Sequence, residues 1–277
     1  MKTDLDIIKQ IERILEKGLR LALCILVDKR GSGPREPGAK MLVVEDGQTF
    51  GTIGGGSFER ALVKEALRTI EDGKPRKVIF SLTEEGGEKA IKTGLICGGE
   101  VEVFIDIMEP KLKLVIIGAG HVAEPLTIFA THLGFDVIVV DDNEKLASKE
   151  RFPMAKEIIT GKYKEILDRI NVSQRDFVVI VYGEPEHDYL ALEKMVRKKP
   201  FYIGLMGSKT KVNKLLERLK KEGVSDEELK SLHAPVGLDI GAQTPEEIAI
   251  SILAEIIAEK RGAKKENVSF LKDQFKG

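Results

Sequence analysis

Apolar residues recur along this chain in two rhythms, and the change between them falls near residue 110. Residues 4–17 (DLDIIKQIERILEK) place Leu5, Ile8, Ile11 and Leu15 on one helical stripe that ends at Gly18. The runs 19–27 (LRLALCILV) and 39–46 (AKMLVVED) then predict strands, joined by a loop rich in Gly and Pro. A helix is expected over 58–72, with strands over 77–82 and 101–108. Glu109–Pro110–Lys111 interrupts the pattern and reads as a linker. Residues 1–109 are therefore expected to form a smaller N-terminal α/β domain.

Residues 110–277 alternate differently. Short continuous apolar runs near 113–117, 136–140, 156–159, 177–182 and 201–205 predict buried parallel strands. Helical spacing fills the intervals at 122–133, 163–170, 188–198, 210–222 and 245–261. This alternation predicts a Rossmann-like, doubly wound parallel sheet with ligands at the C-terminal strand ends. The last helix has the clearest ends: Thr244 and Glu247 form a capping box around Pro245, and Gly262 stands past the end. Ile248, Ala249, Ile252, Leu253, Ile256 and Ile257 are expected as its buried face.

The most specific signal lies at the start of this second domain. Residues 112–124 (LKLVIIGAGHVAE) combine a strand, a glycine turn and a helix start. Gly118 permits the tight turn, Gly120 lets backbone approach a pyrophosphate, and Ala123 allows close packing of helix on strand. Free amides and the positive end of the helix would face the phosphates. Asp141, at the tip of the next strand, would take a ribose hydroxyl pair in a nucleotide reading.

Composition narrows the classes. At 277 residues the length favours two domains, and 42% hydrophobic residues allow an ordinary aliphatic core. A net charge of −1 offers no basic field for nucleic acid or an anionic membrane. No N-terminal segment has signal-peptide character and no apolar run approaches membrane-spanning length, so a cytoplasmic setting is expected. The two cysteines lack CxxC spacing, which argues against a disulfide framework or a zinc site.

Other candidates are loops. In the first half, GSGPREPGAK (31–40) carries Arg35 and Lys40, and FGTIGGGSFE (50–59) carries Gly54, Gly55 and Gly56 before a helix. Consecutive amides there could form an anion nest neutralised by the two cations. Equally, the glycines could make a positive-φ turn with Ser57 as the helix cap. Two glycine-bearing helix starts, one per domain, suggest a ligand held between domains. Cys24 sits within an apolar strand and is expected in the core, whereas Cys97, in GLICGGE, has glycine neighbours that leave room for a ligand. In the second half His121, His187 and His233 fall at loops or strand ends, but their spacing matches no compact metal motif. Gly207 and Ser208, in GLMGSKTK, form a further strand-to-helix turn suited to phosphate or a polar ring edge, without Walker spacing.

Taken together, PREPGAKMLV, GTIGGGSFE, LICGGEVEVF, GAGHVAEPL, YIGLMGSKTK and HAPVGLDIGAQTPEEIAISILAEI resemble the xanthine dehydrogenase accessory factor family, XdhC/CoxI, in order and over nearly the whole chain. The resemblance implies an N-terminal accessory domain followed by a Rossmann-like domain. It implies a maturation factor that binds molybdenum cofactor, in mono- or dinucleotide form, assists its sulfuration and inserts it into a molybdenum hydroxylase apoenzyme. A cysteine desulfurase as sulfur source and a homodimer are the accompanying expectations. Carried over by motif, the cofactor-binding residues are Gly54, Gly55, Gly56, Cys97, Gly118, Gly120, His121, Gly207, Ser208, His233 and Asp239, with Asp141 beside them. GEPEHDY matches the family pattern more loosely, which leaves His187 outside this set. The alternative is an NAD(P)-dependent oxidoreductase built on the second domain, although no proton donor paired with a substrate arginine stands out in the first.

Overall fold

A computed structural model of the chain describes residues 3–83, 90–93 and 99–263. The chain divides into two compact units, Met1–Pro110 and Lys111–Gly277.

The first unit contains α1 (Asp4–Glu16), β1 (Leu21–Gly31), β2 (Lys40–Val44), β3 (Thr49–Gly51), α2 (Gly56–Asp72), β4 (Arg76–Ser81), β5 (Ile91–Lys92) and β6 (Gly99–Met108). Its sheet runs β3-β2-β1-β6-β4-β5, antiparallel except for the β4–β5 pair. Alternate residues along the strands face opposite sides. Cys24, Met41, Val43 and Val103 meet Phe58, Leu62 and Ile70 of α2 on one face. Leu21, Leu42 and Val44 meet Ile7 and Ile14 of α1 on the other. Cys24 is fully buried, and burial pushes its thiol up to about 12, in keeping with a core residue.

The buried stripe of α1 differs from the expected one. Ile7 and Ile14 face the sheet, while Leu5 and Ile8 are 57% and 60% exposed. Two overlapping apolar spacings coexist in this short helix, and the sheet's register selects the one centred on Ile7, Ile11 and Ile14.

The second unit contains β7 (Lys113–Ile117), α3 (Ala123–His132), β8 (Asp136–Val140), β9 (Glu157–Ile159), α4 (Tyr163–Arg169), β10 (Phe177–Ile180), α5 (Pro185–Lys198), β11 (Tyr202–Leu205), α6 (Lys209–Lys221), β12 (Leu232–His233) and α7 (Pro245–Lys260). All strand pairs are parallel, in the order β12-β11-β10-β7-β8-β9. Relabelled from β7 onward this is 3-2-1-4-5-6 read from the other edge, the doubly wound order. α4, α5 and α6 cover one face through Ile166, Leu192, Met195 and Leu215. α3 and α7 cover the other through Leu126, Ala130, Ile252 and Ile256. The capping box at Thr244 and Glu247 is present, with Pro245 opening α7. Ile257, expected inside, is 41% exposed. Among the described residues no helix is long and apolar enough to cross a membrane.

Candidate functional site

The order in which strands are added reverses between the parallel neighbours β7 and β10, so the loops that follow them diverge and open a crevice at the C-terminal edge of the sheet. Gly118 makes the first turn with φ +107°. A Cβ there would lie 2.5 Å from both N and Cα of Tyr182, so only glycine lets the two loops pass. Gly120 is different: a Cβ would meet nothing within 4 Å, which leaves open space above the turn.

Two side chains hold this turn from opposite sides. Asp141, almost fully buried, accepts from the amide of Ala119 at 2.7 Å and from the amide of Asn143 at 2.8 Å. Arg151 donates to the carbonyl of Ala119 at 2.9 Å and to that of Leu146 at 2.8 Å, while also pairing with Glu124 of α3. Each Asp141 oxygen thus already serves one backbone amide. With the turn so fixed, the amides of Gly120, His121 and Val122 donate to no protein atom among the described residues. Three successive free amides at the opening of α3 form an anion-receptive nest.

Beside the nest stands a polar and aromatic cluster. Tyr182 donates to Asp142 at 2.8 Å and stacks on His187 with ring centroids 4.5 Å apart. Tyr163 packs edge-on against His187 at 4.3 Å and donates to its backbone carbonyl at 2.9 Å. Asp142 lies 3.6 Å from Nε2 of His187, and Glu184 lies 2.9 Å from Nδ1, out of line for a hydrogen bond. Burial, then the neighbouring carboxylates, push both tyrosine hydroxyls well above their ordinary value. Both phenols are therefore neutral donors at physiological pH. Next to them Asp188 of α5 is fully buried and pairs with Lys211 of α6, which also reaches the carbonyl of Gly183 at 3.4 Å. Burial raises the Asp188 carboxyl, and the Lys211 ammonium opposes that rise.

The ends of β11 and β12 bound a second opening, a cleft of about 580 Å³ lined by Gly207, Lys209, Gly237, Asp239, Ile240 and Ser251 among others. Gly207 and Asp239 both line it. Ser208 accepts from the amide of Lys211 at 3.3 Å and serves as the cap of α6. His233 is turned toward Tyr202 and Glu255. Its ring stacks on Tyr202 at 4.4 Å, with Nδ1 3.4 Å from Glu255 of α7. Burial pulls the Glu255 carboxyl up, but donation from His233, Tyr202 and the Gly237 amide outweighs it and leaves the group below its usual range. His233 therefore anchors β12 to α7. Among the described residues no three His, Cys, Asp or Glu side chains gather into a metal cage.

In the first unit the two glycine loops do meet. Gly54, at φ +151°, packs so closely that a Cβ would lie 2.3 Å from Pro34 of the PREPG loop. The nest there is filled from within. Glu59 accepts from the amides of Ile53 at 3.0 Å and Gly54 at 3.2 Å, and from the Thr52 hydroxyl at 2.5 Å. The anion at the Gly54 amide is thus the chain's own carboxylate. Ser57 does not cap α2. Gly55 occupies the cap position and the Ser57 hydroxyl is buried without a partner. Lys40 is engaged by Asp4 at 2.9 Å, and with Arg35 lines a cleft of about 470 Å³ beside α1. Cys97 lies outside the described residues.

Burial is the largest single influence on the Glu59 carboxyl and raises it, but the hydrogen bonds from Thr52, Gly55, Ile53 and Gly54 together prevail and lower it. A depressed folded value means stability that is full above the unfolded value near 4.3 and is lost as pH falls through the folded one. Glu59→Gln is expected to cost about 1–2 kcal/mol at pH 7. Thermal melts of both proteins should converge as the pH is lowered below about 3, and a gap that persists there would refute the charge-based account.

Comparison with known proteins agrees with this geometry. Residues 114–256 match the family described as XdhC Rossmann domain, and residues 14–81 match the XdhC and CoxI family. The chain belongs to the XdhC/CoxI family. An Escherichia coli K12 protein, YqeB, is 36% identical over 260 residues, covering 94% of this chain and 47% of that protein. The molybdenum cofactor insertion chaperone PaoD of the same organism is 27% identical, covering 87% of this chain and 84% of its own length. The crystal structure of a xanthine dehydrogenase from Bacillus halodurans superposes with a TM-score of 0.52 at 26% identity, covering 95% of this chain and 98% of that one. The chain spans about half the length of two of the curated relatives it matches. Within this family, the Gly118–Ala123 turn, its two clamps and the cleft at Asp239 all belong to the Rossmann unit.

Proposed function

We propose that this XdhC/CoxI member is a maturation factor for molybdenum hydroxylases, which takes up molybdenum cofactor, shelters it during sulfuration and passes it to the apoenzyme. The observation that carries the reading is the run of free amides at Gly120, His121 and Val122, on a turn clamped by Asp141 and Arg151. The cofactor ends in a phosphate or, in its dinucleotide form, carries a pyrophosphate, and a pre-organised helix start with open space at Gly120 suits either. The cleft beside Gly207 and Asp239 has the size and mixed lining of a small-molecule site. PaoD is named as a molybdenum cofactor insertion chaperone, and its likeness over most of both chains supports the same role here.

The cofactor brings the molybdenum and its dithiolene sulfurs. The chain's residues bind the phosphate end and keep it oriented, and Cys97 is assigned to the sulfur-bearing end. The client is a molybdenum hydroxylase apoenzyme, and a cysteine desulfurase is the sulfur donor. Anaerobic mixing with molybdenum cofactor, followed by gel filtration with metal and pterin analysis, should recover a near-stoichiometric complex that restores activity to an apo-hydroxylase. Failure to retain the cofactor would remove the proposal. Cys97→Ala should still bind cofactor but deliver it without the terminal sulfur, and unimpaired delivery of active enzyme would exclude the thiol.

A second reading, an NAD(P)-dependent oxidoreductase, is favoured by the doubly wound strand order with a carboxylate ending β8. The engagement of both Asp141 oxygens weighs against it. Titration with NADH decides it: saturable binding below millimolar concentration supports this reading, and its absence ends it.

A further inference from the structure

The clefts of the first unit differ in how their cations are answered. Where Arg20 lines a cleft, Glu45 lines it too and pairs with it at 2.8 Å. Where Lys40 lines another, Asp4 answers it at 2.9 Å. A third cleft, of about 360 Å³, gathers Arg60 and Lys64 of α2 with Lys92 of β5. Among the described residues no ion pair or hydrogen bond engages any of these three side chains.

The fold itself brings the cluster together. Ser57, Arg60, Ala61, Lys64 and Glu65 follow at helical spacing and share one side of α2. Lys92 is held beside them by the parallel pairing of β4 with β5, which sets it against Ser81. Thr93 secures that pairing, its amide and hydroxyl both donating to the carbonyl of Ser81, at 3.1 and 2.9 Å. Two features of the cleft are unfavourable in the chain alone. Arg60 and Lys64, four residues apart on a helix, repel each other. The hydroxyl oxygen of Ser57 is buried without a partner. An anion lying among the cations and accepting from Ser57 relieves both.

We propose that this cleft binds a phosphate monoester, held by Arg60, Lys64 and Lys92, with Ser57 donating its free hydroxyl. Charge selects the class. Glu65 is the single carboxylate on the lining, so three cations stand against one anion and two positive charges remain. A phosphate monoester carries close to two negative charges at neutral pH and matches that excess. Ala61 and Ile91 offer its organic part an apolar wall. The cleft lies wholly within the first unit and uses no residue of the Gly118–Ala123 turn, so the inference stands whether or not the Rossmann unit takes up molybdenum cofactor.

Calorimetric titration of the full chain with inorganic phosphate and with glycerol 3-phosphate, in chloride buffer, tests it. Gly120→Asp, which sets a carboxylate over the free amides of the Rossmann turn, is titrated beside the wild type. Both chains should bind saturably, with a dissociation constant on the order of 1 mM. Affinity should fall as the pH drops through about 6, where phosphate loses its second charge. Dimethyl phosphate, a diester with one charge, should bind about tenfold more weakly than the monoester. Arg60→Met combined with Lys92→Met should weaken phosphate binding about thirtyfold, and Ser57→Ala about threefold. The two cations are exposed, so the double variant should melt as the parent does without phosphate. Added phosphate should raise the Tm of the parent and leave that of the double variant unchanged. No saturable binding below about 10 mM overturns the proposal. So does affinity that survives the double substitution, or that is abolished by Gly120→Asp alone. Retention of molybdenum cofactor by the double variant identifies the source of the phosphate. A fall in retention assigns the cleft to the cofactor's own phosphate, and unchanged retention assigns it to a separate phosphorylated metabolite.

Discussion

Lys211→Met is expected to lower the stability of the Rossmann unit by about 3–5 kcal/mol, because it leaves the fully buried Asp188 without its counter-charge. The remaining donor to that carboxylate is the amide of Gly183 at 3.3 Å, which is too little to solvate an ion inside a protein. For a protein of this size the loss corresponds to a fall in Tm on the order of 10 °C. The direction of the pH effect follows from the same physics. Without the ammonium, burial is opposed mainly by the Gly183 amide and raises the folded value of Asp188 further above the unfolded one. A raised carboxyl confers most stability below the unfolded value near 3.9 and loses it as the pH rises. The deficit of the variant should therefore shrink between pH 7 and pH 4.5. Replacing both partners, as Asp188→Leu with Lys211→Met, should recover most of the loss, since two matched apolar groups avoid the desolvation cost. A single variant whose Tm at pH 7 stays within a degree or two of the parent would show that the pair is solvated after all. The pair sits directly behind Gly183, so it also sets the position of the β10–α5 loop that walls the crevice.

Gly118→Ala is expected to be the most damaging small change in the site, costing about 2–5 kcal/mol. One part is the backbone: φ of +107° is strained for any residue with a Cβ. The other is contact, because the new methyl would lie 2.5 Å from the backbone of Tyr182, which cannot rotate away as a side chain could. The loops at the switch point must then separate, and both stability and ligand retention should fall. Gly120→Asp offers the contrast. Its position has room for a side chain and no positive φ, so the melt should be nearly unchanged. A carboxylate placed over the free amides should nevertheless reduce retention of molybdenum cofactor by about a hundredfold, by repelling its phosphate and capping the nest. Thermal melts and cofactor analysis of the two variants separate folding from binding. Equal cofactor retention in Gly120→Asp and the parent would remove the nest from the binding site.

How much of this was legible in the sequence follows the range of the forces involved. The four central parallel strands were legible because each is buried on both faces and reads as an unbroken apolar run, as in LVII and VIVV. Strands β3, β5 and β12, of three, two and two residues, carry no such signature. They exist because a neighbouring strand offers hydrogen bonds, which no local pattern announces. The start of α5 at Pro185, earlier than its apolar spacing suggests, follows from proline being suited to a first helical position.

Candidate residues divide in the same way. Glycines at Gly118 and Gly120 were identifiable because turn and helix start are adjacent in sequence. The occupant of the Gly54 nest was hidden, although Glu59 lies only five residues away, because a carboxylate early in a helix ordinarily faces solvent. Arg151 was missed because its reach to Ala119 crosses 32 positions of chain, and nothing in the KERFPM context marks it. The partners of His233 were hidden for a related reason: a polar residue at a strand end reads as a ligand contact, and nothing local announces Tyr202 and Glu255 around it.

Sequence alone determined the longer helices and the buried strands, the phosphate-type turn and membership of a family, since these depend on local spacing and on motifs that are contiguous. Only the tertiary structure decided which of two apolar stripes on α1 is buried, that Ile257 faces outward, that Asp141 and Arg151 clamp the turn, and that Glu59 fills its own nest. Those outcomes depend on which groups meet across long stretches of chain. There, a charge or hydrogen-bond donor is satisfied by whatever the fold brings to it, and its role is set by that partner rather than by its neighbours in sequence.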